Sequence, residues 1–345
     1  MSDLCLVTGG SGYFGCLLRD RLLERGRRVR VFDMVDADDR PREVELVRGD
    51  IRDEAAVRAA CEGADAIYHN VAQVPVAKDR QLFWSVNYGG TENLLGAALA
   101  ARVRKVVHTS SSAVFGVPKR NPVDEQTEPQ PGEAYGRAKL AGEQLVQRFV
   151  RDHGLDATII RPRTILGHGR LGIFQILFDW VEEGRNIPVL GRGDNTYQFV
   201  HADDLADACI RAAARPGARV YNVGAARFGT MRETLEALCA HAKTGSRVYS
   251  VPMSLAVVAM KLTSALGLSP LGPYHSLMYG RSLYFDISCA RRELEWEPRF
   301  SNVEMICESY DWYLRHKREV LGQTDRSAHR SAMRQGILGL IKRVS

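Results

Sequence analysis

None of the seven cysteines stands three residues from another, so the chain has no Cys-x-x-Cys pair. That excludes the common structural zinc motifs and a dithiol redox centre, and scattered thiols fit a reducing compartment. No charged-then-apolar segment precedes the first hydrophobic run, so no secretory signal is expected and the cytoplasm is the default location. Long apolar runs are missing as well. The best candidate, 251–271, is interrupted by Pro252, Lys261, Ser264 and Pro270 and is too short to span a bilayer. There is no internal repeat and no low-complexity linker. Acidic residues are absent from 326–345, which holds Arg326, Arg330, Arg334, Lys342 and Arg343. Most of the formal net charge of +6 therefore belongs to this tail. The body is close to neutral, and no nucleic-acid partner is expected.

The 345 residues suffice for a large core, as one domain or two closely joined ones. Leu4-Cys5-Leu6-Val7 reads as a buried strand. Gly9, Gly12 and Gly15 follow at i, i+3 and i+6, and Leu17-Leu18-Arg19-Asp20-Arg21-Leu22-Leu23 has helical spacing. A strand running through glycines into a helix presents a helix N-terminus to a pyrophosphate. Alone, such a turn is equally a structural joint. Val29-Arg30-Val31-Phe32-Asp33 is the second strand, and Asp33 closes it 18 residues beyond Gly15. By itself Asp33 reads as a solvated strand end. After a glycine turn at this distance it reads as an acceptor for an adenosine ribose, which selects NAD over NADP.

Further strands are expected at 44–47, 66–69, 105–109 and 157–160, alternating with helices at 54–62, 83–101 and 135–153. This alternation implies right-handed βαβ units and a parallel sheet. The fourth strand ends in Asn70-Val71-Ala72-Gln73, where open α/β sheets bind ligands. The fifth ends in Ser110, Ser111 and Ser112. Residues 118–132 hold four prolines and are expected as an irregular surface loop. Beyond Gly167 the alternation lapses into a helix at 174–183, a strand at 197–201 and a last core strand at 219–223.

Tyr135 and Lys139 stand at i and i+4, one turn apart on one helix face. Phenol has a pKa near 10, and an adjacent ammonium favours the phenolate. A phenolate beside a nicotinamide takes the proton from an alcohol as hydride leaves its carbon. A serine from the neighbouring strand end can hold the same oxygen.

Thr8-Gly9-Gly10-Ser11-Gly12-Tyr13-Phe14-Gly15, Asp50-Ile51, Ser110-Ser111-Ser112-Ala113-Val114-Phe115-Gly116 and Tyr135-Gly136-Arg137-Ala138-Lys139 resemble the extended short-chain dehydrogenase/reductase superfamily. Arg161-Pro162, Phe199-Val200-His201-Ala202-Asp203-Asp204 and Phe285-Asp286-Ile287-Ser288 extend the match over nearly everything but the tail. The resemblance implies an α/β fold: a Rossmann-type doubly wound parallel sheet with a smaller α+β substrate-binding lobe. Residues 1–166 and about 196–225 would form the NAD domain, and 167–195 with 226–321 the lobe. It implies Tyr135 as catalytic base, Lys139 lowering its pKa and holding the nicotinamide ribose, and Ser111 rather than Ser112 as the active-site serine. The NAD contacts it implies are Gly9, Gly12, Tyr13, Phe14, Gly15, Asp33, Asp50, Ile51, Val71, Ala72, Tyr135, Lys139 and Pro162. A homodimer through the helices at 83–101 and 135–153 is expected on the same ground.

Nucleotide-sugar members resemble one another at two substrate positions: an asparagine in Arg-x-x-Asn-Val-Tyr-Gly, and a diphosphate-binding arginine in Arg-Asp-Phe-x-His-Val. Here Thr164 and Tyr197 stand there. Losing a cation that pairs with a diphosphate removes about 1.5–3 kcal/mol per charged hydrogen bond. The Arg161-Pro162 start and the apolar stretch 251–271 are similar instead to the 3β-hydroxysteroid and sterol-4α-carboxylate 3-dehydrogenase branch. That branch implies NAD-dependent oxidation of a secondary alcohol on a hydrophobic, sterol-like substrate, with loss of carbon dioxide where a β-keto acid results. The alternative is a nucleotide-sugar 4-epimerase or dehydratase that keeps its NAD. Gln73, Ser112, Arg163, Thr164 and Tyr197 are the candidate substrate residues. Arg163 either holds a substrate carboxylate or pairs with a structural acid. No metal is expected. In the tail, Met333, Ile337, Leu340, Ile341 and Val344 fall on one helical face among basic residues, which reads either as a peripheral membrane contact or as a docked or frayed end.

Overall fold

Five consecutive buried residues, Leu4–Thr8, form β1. A strand apolar on both faces must be covered on both sides, which places it in the middle of a parallel sheet. The computed structural model, which describes residues 3–73, 80–254, 258, 278 and 280–321, has that arrangement. Around β1 lie β2 (Arg28–Asp33), β3 (Glu45–Arg48), β4 (Ala66–His69), β5 (Lys105–Thr109), β6 (Ala157–Pro162) and, after a run of other elements, β11 (Arg219–Val223). Their order is β11-β6-β5-β4-β1-β2-β3, with every pairing parallel. Chain direction across the sheet reverses between β1 and β4, so the carboxyl ends of these two strands open a crevice there.

Helices α1 (Tyr13–Glu24) and α7 (Ala202–Ala214) cover one face through Leu18, Leu22, Leu205 and Cys209. The other face packs against α2 (Glu54–Cys61), α4 (Thr91–Ala100) and α5 (Ala134–His153) through Val57, Leu94, Leu145 and Val146. A third cluster forms the smaller lobe. It joins α6 (Ile173–Glu182), β8 (Ile187–Leu190), α8 (Met231–Ala242), β13 (Val248–Val251) and α10 (Asn302–Leu321); α9 (Ser288–Glu293) packs against the Rossmann core instead.

Local interactions modify several expected elements. The helix expected over 83–101 is α3 (Arg80–Trp84), a π-helical turn Ser85–Gly90, and then α4. The strand expected over 197–201 divides at Gln198. Thr196–Tyr197 (β9) pairs antiparallel with Gly229–Thr230 (β12), whereas Phe199–His201 (β10) pairs parallel with Thr164–Leu166 (β7). Gln198 is buried and bonds Ala225 O and Phe285 N, an alternative partner set that interrupts the ladder. The sixth strand runs on to Pro162, because Asn222 and Val223 of β11 pair with Arg161 and Pro162. The loop 118–132 is not wholly on the surface. Val123 is buried, donating to Tyr284 O and accepting from Asp286 N.

Val251 ends β13, and Met253, Ser254 and Val258, which follow it, are helical. Most of the rest of that stretch, and the whole basic tail from 322, lie outside the described residues. Among the described residues no helix is long and apolar enough to cross a membrane.

Candidate active site

At the end of β1 the chain turns through Gly9, held at φ +69°. A Cβ on Gly9 would lie 3.0 Å from the Val71 nitrogen, and one on Gly15 would lie 2.0 Å from the Gly9 carbonyl oxygen. Only glycine lets α1 start this close to the turn. Gly12 caps α1 without a side-chain acceptor, which leaves the first backbone N–H groups facing outward. Tyr13 and Phe14 bury their rings in the core, so their offer to a phosphate is backbone N–H. Asp33 lies beside this turn. Its carboxylate accepts from Ser11 N at 3.0 Å and Val35 N at 3.3 Å, and burial raises its pKa. Asp50 gives its carboxylate to Arg52, whose guanidinium lowers its pKa, and Ile51 is buried against α4. Val71 and Ala72 follow β4, and Pro162 is buried at the end of β6.

Across the crevice, α5 begins at Ala134 because both Glu133 oxygens accept its first N–H groups, Tyr135 N and Gly136 N, at 2.6 Å each. Tyr135 is thereby fixed in the first turn. The Ser111 oxygen accepts from Ala113 N at 3.1 Å, leaving its proton for the hydrogen bond that joins it to the Tyr135 phenol. That bond favours the phenolate, and the Glu133 carboxylate opposes it. Burial dominates both and pushes the phenol up to about 12. The net shift of the phenol is thus upward and set by burial. The Lys139 Nζ donates to Thr109 O at 2.8 Å, and its own burial pushes it down to about 8, against the pull of Glu143.

The substrate candidates fall into one cluster and one outlier. Arg163 Nη1 donates to Ser112 Oγ at 2.7 Å, and its guanidinium lies over the Tyr197 ring at 4.8 Å. Thr164 Oγ1 and Tyr197 Oη are 2.7 Å apart in a mutual hydrogen bond. Gln73 stands elsewhere. Its backbone N–H and C=O are both bonded by the Asn87 side chain, at 2.7 and 3.2 Å.

A model described as the NAD dependent epimerase/dehydratase family matches residues 5–224. The chain belongs to the NAD-dependent epimerase/dehydratase family. The uncharacterized protein y4nG of Sinorhizobium fredii is 56% identical over 336 residues, 97% of this chain and 85% of its own length. A 3 beta-hydroxysteroid dehydrogenase/Delta 5-->4-isomerase of Mycobacterium tuberculosis is 30% identical over 337 residues, 90% of each chain. Among solved structures, a Thermus thermophilus UDP-glucose 4-epimerase in complex with NAD superposes with a TM-score of 0.74 at 26% identity, over 90% of this chain and 99% of that one.

The family's cofactor is NAD, and the residues present fit it. Gly9 and Gly15 leave no room for a Cβ, α1 has an uncapped N-terminus, and an acidic side chain closes β2 beside them. NAD supplies a hydride acceptor. This epimerase/dehydratase family member supplies a buried phenol, a serine donor and a lysine around the same crevice.

Three groups at this site escape motif reading. Asn87 ties Gln73 across 14 positions, and nothing local in the sequence marks it. Glu143 accepts two hydrogen bonds from Arg161 Nε and Nη2 and one from Ser110 Oγ. Its signal was present, since Tyr135, Lys139 and Glu143 stand at i, i+4 and i+8 on one face of α5. His69 is sandwiched between Thr8 Oγ1 at Nδ1 (2.8 Å) and Thr91 Oγ1 at Nε2 (3.0 Å). Because Thr91 donates its proton to Asn87 O, Nε2 carries the hydrogen and Nδ1 accepts from Thr8. Burial and the Lys139 charge hold this histidine neutral, with its pKa down to about 3.

Proposed function

We propose that this protein oxidises a secondary alcohol on a hydrophobic, sterol-like substrate, passing hydride to NAD and the hydroxyl proton to Tyr135. Ser111 holds the reacting oxygen, and Lys139 positions the nicotinamide ribose. The observation that carries the substrate reading is the Thr164–Tyr197 hydrogen bond at 2.7 Å. At these two positions nucleotide-sugar members resemble one another in placing an asparagine and a diphosphate-binding arginine. Here two neutral hydroxyl side chains satisfy each other and offer a diphosphate no charge. Where the substrate bears a carboxylate β to the alcohol, oxidation gives a β-keto acid. Its C–C bond then breaks with release of carbon dioxide, and the electron pair left on the ketone enolate takes up a proton.

The 30% identity to a 3 beta-hydroxysteroid dehydrogenase supports this reading. The likeness to a UDP-glucose 4-epimerase favours the second one, in which hydride returns to a sugar and NAD stays bound. Free NADH separates them. Incubation with NAD and a panel of 3-hydroxysteroids, 4-carboxysterols and nucleotide-sugars is expected to accumulate NADH with steroids, and Tyr135→Phe to abolish it while NAD still binds. Sugar interconversion without net NADH would overturn the proposal.

A further inference from the structure

Three arginines of the Rossmann core are almost fully buried: Arg19, Arg161 and Arg163. A guanidinium taken out of water needs a counter-charge, since desolvation of an unpaired ion is the most expensive burial a side chain can undergo. Arg19 pairs with Asp20 and Asp39. Arg161 turns the parallel Nε and Nη2 donors of its side edge to the Glu143 carboxylate. Arg163, two residues on, has 1% of its surface exposed and forms no ion pair among the described residues. Its Nη1 is used by the neutral Ser112 hydroxyl, while Nε and Nη2 have no hydrogen-bond partner among the described residues. The unused donors are thus the same side edge that Arg161 commits to a carboxylate. The plane is held in place by the rings of Tyr197 at 4.8 Å and Phe285 at 5.7 Å, a packed arrangement that fixes the direction of the free edge.

The position of this edge matters as much as its lack of partners. Ser112, which holds Nη1, is the neighbour of Ser111, whose hydroxyl bonds the Tyr135 phenol. Arg163 itself follows Pro162 at the carboxyl end of β6. A cation without a counter-ion among the described residues is therefore bonded to the serine that adjoins the partner of the Tyr135 phenol.

We propose that the Nε and Nη2 edge of Arg163 is a carboxylate site, and that the substrate carries its carboxylate close to the reacting alcohol. This rests on the dehydrogenase reading above and adds the charged group and the residue that recognises it. Two parallel donors match the two oxygens of a carboxylate, the pairing that Arg161 and Glu143 already make in this protein. The same cation can also be answered by a phosphate oxygen, so the test carries both.

The experiment measures binding to the NAD-loaded full-length protein of a 3-hydroxysteroid 4-carboxylic acid, its methyl ester and UDP-glucose, for the unsubstituted chain, Arg163→Met and Arg163→Lys. Methionine keeps the apolar stem between the two rings, and lysine keeps the charge without the fork. The acid is expected to bind roughly 10- to 100-fold tighter than the ester to the unsubstituted chain, with the preference gone in Arg163→Met and reduced in Arg163→Lys. Equal binding of acid and ester, with both oxidised, would overturn the carboxylate site and leave the dehydrogenase reading standing. Tight binding of UDP-glucose that Arg163→Met weakens, with neither steroid bound, would overturn both. Should Arg163→Met not fold, the acid-to-ester ratio of the unsubstituted chain and its reduction in Arg163→Lys decide between these outcomes.

Discussion

Tyr135 works from an environment that opposes its ionisation. Burial first, and the Glu133 carboxylate to a smaller extent, raise the phenol to about 12 against the pull of the Ser111 hydroxyl and the Arg170 charge. In the proposed oxidation the phenolate is the base, so activity is expected to rise with pH as the phenol loses its proton. Glu133→Gln removes the adjacent negative charge but keeps one acceptor for the helix start. The folded-state pKa of Tyr135 then falls, and the rising limb of kcat/KM for oxidation moves to lower pH, with roughly two- to fivefold more activity below it. A pH–rate profile of the variant measures this; a limb that stays in place or moves up contradicts the role given to Glu133. For this proposed chemistry the family resemblance implies Ser111, Tyr135 and Lys139. The direction of the phenol's pKa was not legible, because burial is a property of what packs around α5 and not of the i, i+4 spacing.

The segment from α3 to α4 shows how one element positions another. Its π-helical turn carries Asn87, whose amide bonds both backbone groups of Gln73, and Thr91 bonds back to the Asn87 carbonyl. Through His69 and Thr8 the same network reaches the glycine turn. Asn87→Ala leaves a backbone donor and acceptor of Gln73 without partners and is expected to cost about 1–3 kcal/mol in denaturant unfolding and to weaken NAD binding. Unchanged stability together with an unchanged NAD dissociation constant would remove Asn87 from the site. Periodicity predicts a helix across 83–101 but not its π turn. That turn adds a residue to the helical register, with Asn87 anchored to the strand end, a contact 14 positions away in the sequence.

The smaller lobe is fastened to the Rossmann half by a few buried polar groups. The Asp204 carboxylate, at the start of α7, accepts from Arg299 N, Arg299 Nε and Phe300 N, and its carbonyl accepts from the Trp296 indole. Asn302, at the first turn of α10, accepts from Phe199 N at 3.0 Å and donates to Tyr197 O at 2.7 Å. The second bond fixes the backbone of the residue whose ring lies over Arg163. Asn302→Ala is expected to lose about 1–3 kcal/mol of stability and to raise KM for the substrate without changing the NAD dissociation constant. Parallel loss of NAD affinity would show instead that the damage spreads through the whole Rossmann half.

The parallel sheet, the glycine turn and the Tyr135–Lys139 spacing follow from sequence alone, because strand and helix periods are local and survive without knowledge of distant contacts, whereas the doubly wound architecture and the choice of Ser111 are what the family resemblance implies. The substrate side does not. Thr164 and Tyr197 are 33 positions apart and read from sequence only as two departures; the fold makes them partners. Arg163 left two readings open, a substrate carboxylate or a structural acid, and only packing shows that among the described residues it forms no ion pair, its Nε and Nη2 being buried without a partner. Whether a buried charge is answered depends on the three-dimensional sum of its neighbours, which no spacing along the chain records.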